Sequence, residues 1–451
     1  MVRVLVPSGA LGLNYDKDAL ARGLAAKPDI IAIDGGSTDS GPAYLGRGVS
    51  KYSRASTKVE WRGLMIARAE AGVPLVIGTS GTCGSDSAVD WMLDITRDIA
   101  TELGQSLKIA VLRSAQDPEK MAEAFEAGRI TPLPNAPRIG RETFADCTNI
   151  VALAGAEQIT AALETGADVI IAGRTTDTAI IAALPLMHGC HAGGAWHGAK
   201  IGECGALCAS NPQSGVIIID FDQDGFTVTP LADGAHATPH SVSAHMLYEN
   251  SDPFILFEPG GHLDVTQASY IALDDTSVRV TGSQWVPSDD YTVKLEGARI
   301  SGYQTVLLTL LRDAHYVANA QLWADDIHTK CTAKVQERMG LSSTDFRIEL
   351  RLIGQSASFG ALETRNSTPT EIGVLGIVTA TTGAHAEEIG KMLNPYLLHH
   401  PLTRDEEQPT FAFPFSPAEM TRGAVYEFCL NHVLHLQDPM AAFRLEVIEH
   451  A

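Results

Sequence analysis

Apolar residues in the first half of the chain fall into short continuous runs at 3–7, 29–33, 74–77, 108–112, 150–153 and 168–172. Between them lie longer stretches at 16–26, 58–72, 88–103, 156–165 and 176–187 whose apolar positions recur with helical spacing. A short continuous apolar run predicts a strand buried on both faces. Strands alternating with helices predict a parallel sheet of βαβ units, and right-handed crossovers bring every strand-to-helix loop to one edge of it. Residues 129–147, polar and rich in Pro and Arg, read as an excursion over the surface.

The pattern changes after about residue 205. Runs at 215–220 and 226–230 predict a strand pair joined through Asp222-Gln223-Asp224-Gly225, and 243–249 a helix. Beyond 285, strand-like runs at 291–295, 305–311, 346–353, 372–379, 425–434 and 443–448 surround helical stretches at 314–339 and 384–398. The expected fold is therefore α/β over 1–285, a mostly parallel sheet flanked by helices that holds an active-site crevice. A smaller α+β, ferredoxin-like domain over 286–451 follows, serving as an oligomer or partner interface.

The 451 residues carry a formal charge of −21, which sets aside nucleic acid and anionic membrane as partners. No apolar run approaches the roughly 18 residues that span a bilayer. Seven cysteines without framework spacing predict reduced thiols and a cytoplasmic protein.

Candidate chemistry sits where strands end. Ser8-Gly9 begins a glycine turn after the first strand, but the turn is not a complete dinucleotide fingerprint, so NAD is not indicated. Asp34, followed by Gly35, Gly36 and Ser37, is placed to act as a base or to bind a metal. Thr79, Ser80, Gly81 and Thr82 precede a helix and predict an anion cradle, without the Gly-Lys-Ser/Thr signature of ATP binding. Arg174 follows the strand at 168–172 and is suited to carboxylate recognition, with Asp177 as its alternative partner at i+3. His188 and Glu203 are acid–base candidates. His191 and His197, in a glycine-rich stretch, read as exposed. Glu258, His262 and Asp264 are candidate ligands for a divalent metal.

Several of these residues lie in motifs that resemble the acyclic terpene utilisation protein A (AtuA) family. They are AGRTTDTA at 172–179, His188 after Pro185-Leu186, IGECGA at 201–206, and LYE at 247–249 with Asp252-Pro253. The resemblance implies a cytoplasmic bacterial protein with an α/β core. It also implies a short form encoded with a separate small companion protein. The chain carries His188-Gly189-Cys190-His191-Ala192 where terpene-type members carry His-Glu-Phe-Gly-Trp.

The expected function is a lyase, a hydratase or dehydratase acting on a small carboxylate or its CoA thioester. Asp34, His188 or Glu203 would move protons, and Arg174 with the 78–87 loop would hold a small anionic substrate. Two alternatives stand beside it: a metal-assisted amide or lactam hydrolase, and a non-catalytic scaffold subunit of a heteromeric enzyme. An oligomer is expected in each case.

Overall fold

The computed structural model describes residues 1–365 and 369–451. Its contacts divide into two compact units, Met1–Arg299 with Glu427–Ala451, and Ile300–Tyr426. The sequence-based division at 285/286 thus shifts by some residues and is not a single cut. The strand Tyr291–Leu311 runs through the boundary, and the C-terminal strand Arg444–His450 pairs with Leu107–Arg113 in the first unit.

The first unit is built on a ten-stranded sheet. Its centre is five parallel strands in the spatial order Val2–Val6, Ile30–Asp34, Leu75–Gly78, Val169–Ala172, Leu107–Arg113. Antiparallel strands extend both sides: Ile217–Phe221, Gly225–Pro230, Val278–Thr281 and Ser269–Ala272 on one, Arg444–His450 on the other. Alternate side chains of the central strands enter two separate cores. Leu5, Ile31, Ile33, Ile77, Val111 and Ile171 pack against the helices Arg54–Ala71 and Asp86–Leu103, through residues such as Trp61, Met65, Val89 and Ile99. Val4, Ile30, Ala32, Val76, Leu112 and Ile170 face the helices Ala156–Glu164, Ala179–Met187 and Ala192–Gly202. The strands are apolar along most of their length because both faces are covered.

Helices at 42–47, 141–146 and 192–202 were not expected. Ala192–Gly202 is buried almost along its whole length, where a loop exposing His191 and His197 was predicted. Its glycines are contact points. A Cβ at Gly194 would stand 2.7 Å from Gly225 Cα, and one at Gly198 would stand 2.5 Å from the Phe221 ring. The missing side chains let this helix lie directly on the sheet, which outweighs glycine's low helix propensity.

In the second unit the strands lie in the order Phe346–Ile353, Ile372–Ala380, the 303–311 part of Tyr291–Leu311, and then Met420–Leu436, which continues into the first unit. The helices Ala320–Met339 and Gly383–His399 follow the 303–311 strand and Ile372–Ala380 in the chain. Trp323, Ile327, Ile389 and Leu393 share a core with Leu307, Ile348 and Val374. No helix among the described residues is long and apolar enough to cross a membrane.

Candidate functional site

The carboxyl ends of the parallel strands deliver Ser8, Asp34, Thr79, Ser114 and Arg174 to one edge, where α/β sheets bind ligands. A cavity of about 450 Å³ opens there. Its lining includes Ser8, Gly9, Asp34, Gly36, Ser37, Asp39, Tyr52, Asp177, Glu203, Cys204, Tyr248 and Glu249. Five of these are acids, and no Lys, Arg or His is among the lining residues.

Asp34 ends its strand on the cavity wall and is 5% exposed. Its Oδ2 accepts from the Gly36 amide at 2.9 Å, and its Oδ1 has no partner. Burial pushes this carboxyl well above the usual range; Asp177 adds to the shift, while Arg174 and the Gly35 and Gly36 amides oppose it. Gly35 cannot carry a side chain, because a Cβ would stand 2.5 Å from Thr79 O. Its amide is bonded to Gly78 O, so Gly35 shapes the turn without facing the cavity.

Glu203 enters from the end of the Ala192–Gly202 helix, 8% exposed and ion-paired with Lys200 one turn earlier. Burial, opposed by Lys200, carries it up to about 8. The turn is held close to the first loop by small residues. A Cβ at Gly9 would meet the Cys204 carbonyl carbon at 3.0 Å, and one at Gly205 would stand 2.9 Å from the Gly9 nitrogen. Ser8-Gly9 therefore lines the cavity and anchors the Glu203 turn.

Arg174 is not free to bind an anion. It is 6% exposed, and its donors are engaged. Nε donates to Glu296 Oε2 at 3.1 Å; NH1 donates to Thr175 O at 2.9 Å, Thr79 Oγ1 at 3.1 Å and Asp177 Oδ1 at 3.3 Å. NH2 donates to Thr38 Oγ1 and Glu296 Oε1, both at 3.4 Å. Burial pushes Glu296 up, but Arg174 and Lys294, helped by the Thr38 hydroxyl, bring it down to about 2. The expected i+3 pairing with Asp177 is present, within a larger buried network whose main anion is Glu296.

The Thr79–Thr82 loop is equally closed. Thr79, Ser80 and Thr82 are buried and absent from the cavity wall. The Thr82 amide bonds Thr79 O, and Ser85 caps the following helix. An anion cradle needs unengaged amides, and here internal bonds and close packing take that place. A Cβ at Gly84 would stand 2.1 Å from the Arg174 nitrogen. Thr79 and Thr82 hold φ of 44° and 76°, strained for β-branched residues, with Gly81 at 62° between them.

His188 caps the C-terminus of the Ala179–Met187 helix and is exposed, outside the cavity wall. A helix after a parallel strand runs back toward the other edge of the sheet, so its last residue leaves the site. His197 is buried between Ser283 Oγ, 2.7 Å from Nδ1, and Tyr270, and burial lowers it to about 3. It stays neutral and packs the core.

Glu258, His262 and Asp264 do not converge. His262 pairs with Phe257 and Asp264 with Ile255, whereas Glu258 pairs with Gly261. Period-two alternation puts Glu258 on the opposite face from the other two. Glu258 Oε1 accepts from Thr178 Oγ1 at 2.5 Å, its Oε2 has no partner, and burial raises it to about 7. Among the described residues no three His, Cys, Asp or Glu side chains are grouped to hold a metal ion.

Sequence reasoning missed Glu296, Lys200, Tyr52, Tyr248 and Glu249. Glu296 had one signal, an acid two residues after Lys294 in a strand whose apolar positions alternate with polar ones. Tyr248 and Glu249 lay in a family-like motif without an assigned role, and Glu249 takes a φ of 58° at the cavity.

The three motifs at 172–179, 201–206 and 247–249 each place residues on this one cavity: Asp177, then Glu203 and Cys204, then Tyr248 and Glu249. No curated protein and no solved structure gives a match. The profile of acyclic terpene utilisation family protein AtuA matches residues 76–417, leaving Ser8, Asp34 and Tyr52 ahead of the matched region. With most of its length matched, the chain belongs to the acyclic terpene utilisation protein A (AtuA) family.

Proposed function

We propose that the chain is a lyase of the hydratase or dehydratase kind, acting on a small acyl compound in its thioester form. The family's description, acyclic terpene utilisation, favours a metabolic role on branched acyl carbon. The observation that carries the reading is Asp34, a buried carboxyl on the cavity wall with an unpartnered oxygen and a raised proton affinity. A carboxyl whose proton affinity is raised by burial is suited to deliver a proton to a leaving hydroxyl. Glu203, poised near 8 beside Lys200, can remove a proton from carbon. Two acids held in different environments suit the two halves of a water elimination or addition. The acidic lining disfavours a free carboxylate at the reacting end, so the thioester is the better of the two substrate forms considered. The separated faces of Glu258 and His262 give the metal-assisted hydrolase no comparable support.

The test is a screen of enoyl- and hydroxyacyl-CoA esters, followed through enoyl absorbance, with Asp34→Asn as the variant. On the substrate found, that variant should lose about 10²-fold or more in kcat while its unfolding midpoint stays the same or rises. Wild-type turnover by Asp34→Asn would remove Asp34 from the chemistry.

We read the second unit as ferredoxin-like. Its β-α-β-β-α-β order, with the first strand between the third and fourth, supports that arrangement. An experimental structure with a different strand order would overturn it.

A further inference from the structure

Cys147 opens the strand Cys147–Ala152, and Cys429 lies in Met420–Leu436, 282 residues later. Both belong to the first unit. Their sulfurs are 3.1 Å apart. Four other cysteines, Cys83, Cys190, Cys208 and Cys331, are buried, and Cys204 belongs to the cavity. The 147–429 pair has no part in the proton chemistry proposed above.

The pair is brought together by the strand segment at 295–299. Cys147 is in register with Arg299 there, and Glu427, two residues before Cys429, accepts from Arg299 Nε at 2.8 Å. Gly297 leaves the room: a Cβ on it would stand 2.7 Å from Leu430 Cδ1 and 3.1 Å from Cys147 Sγ. Cys147 is only half-buried, so the pair borders solvent.

We propose that Cys147 and Cys429 are a redox-active dithiol that peroxide oxidises to a disulfide, fastening the C-terminal segment to the strand Cys147–Ala152. Closing the bond requires the sulfurs to approach by about 1 Å, within the reach of side-chain rotation. The two thiols are unequal. The hydrogen bond between the two sulfurs and the nearby Arg299 guanidinium bring Cys429 below its ordinary value against the effect of burial. The same pairing raises Cys147. Cys429 is therefore the attacking sulfur. Its thiolate forms an S–O bond as the peroxide O–O bond breaks, and hydroxide leaves, to be protonated to water. The Cys147 thiol then attacks that sulfur: the S–S bond forms, the S–O bond breaks, and the hydroxide departs with the Cys147 proton as the second water. Two thiols are oxidised, and one peroxide becomes two waters.

The experiment treats the full chain with hydrogen peroxide, blocks remaining thiols by alkylation, and maps peptides by mass spectrometry. The expected product is one cross-linked peptide pair, 147 with 429, lighter by two hydrogens and released by dithiothreitol. The melting temperature should rise by several degrees on oxidation and return on reduction, because the bond closes a long loop in the unfolded chain. In Cys147→Ser no cross-link should form, and Cys429 should instead be captured as sulfenic acid by a dimedone probe. If Cys147 and Cys429 both remain alkylatable after peroxide has oxidised other thiols, the proposal is wrong. It is equally wrong if the cross-link found involves Cys204 or joins two chains.

Discussion

Replacing Arg174 by Met separates two accounts of this residue that differ in what the side chain touches. As a substrate ligand, its loss would raise KM and leave folding intact. As a buried hub, its loss strands Glu296, which is 4% exposed, and Asp177 together, and frees hydroxyls of Thr38 and Thr79. Removing one partner of a buried ion pair costs about 3–5 kcal/mol, most of it the desolvation of the charge left behind. Lys294 Nζ, 3.2 Å from Glu296 Oε1, keeps part of that charge compensated and points to the lower end of the range. In urea this is a fall in midpoint of roughly 1 M. Four of the five tryptophans, Trp61, Trp91, Trp196 and Trp285, lie in the unit that contains Arg174, so fluorescence reports that unit. Arg174→Met combined with Glu296→Leu should cost less than the two single changes summed, by about 1 kcal/mol or more, since the stranded carboxylate is gone. A single variant that keeps its urea midpoint within about 0.2 M, yet raises KM tenfold, would falsify the hub and restore the ligand.

Three further outcomes follow from the same geometry. Glu203 must lose its proton to act as a base, so kcat/KM should climb as pH rises through about 8, and Glu203→Gln should flatten that climb. The linked stability has the opposite sign. Between pH 4.5 and about 8 the folded chain keeps a proton that the unfolded chain has released, so stability falls as pH rises across that window, less steeply in Glu203→Gln; equal slopes in urea titrations of the two proteins would sink the assignment. Gly84→Ala places a Cβ 2.1 Å from the Arg174 backbone at a φ of 63°, and should lower the melting temperature by several degrees or more, with an unchanged transition refuting the packing.

The parallel core was legible because its strands are covered on both faces and so announce themselves as continuous apolar runs. The same logic hid Ala192–Gly202. Read alone, AGGAWHGAKIG has the glycine content of a loop, and only the sheet surface beneath it turns those glycines into contacts with Ser283, Gly225, Phe221 and Ile219. The short strands between Ile255–Glu258 and Gln284–Pro287 escaped for a different reason. Each is only four residues long, too brief for a period to be read.

For the site, position was easier to read than role. Ser8, Asp34, Asp177 and Glu203 follow from strand ends and the loops behind them, and they do meet at one cavity. Arg174 also sits at a strand end, but what a buried arginine does depends on who answers its charge. The answer, Glu296, comes from more than a hundred residues away. That closure has a chemical consequence. With Arg174 committed to Glu296 and Asp177, and Lys200 to Glu203, Asp34 is left with no ion-pair partner of its own. Burial, reinforced by Asp177, raises it well above the usual carboxylate range against Arg174 and the Gly35 and Gly36 amides, while burial opposed by Lys200 carries Glu203 up to about 8. In the function proposed above, these two environments give Asp34 the acid's part and Glu203 the base's. The arginine that looked like a hand for the substrate is thus better understood as the buried partner of Glu296, with Asp34 left on the cavity wall outside that ion pair.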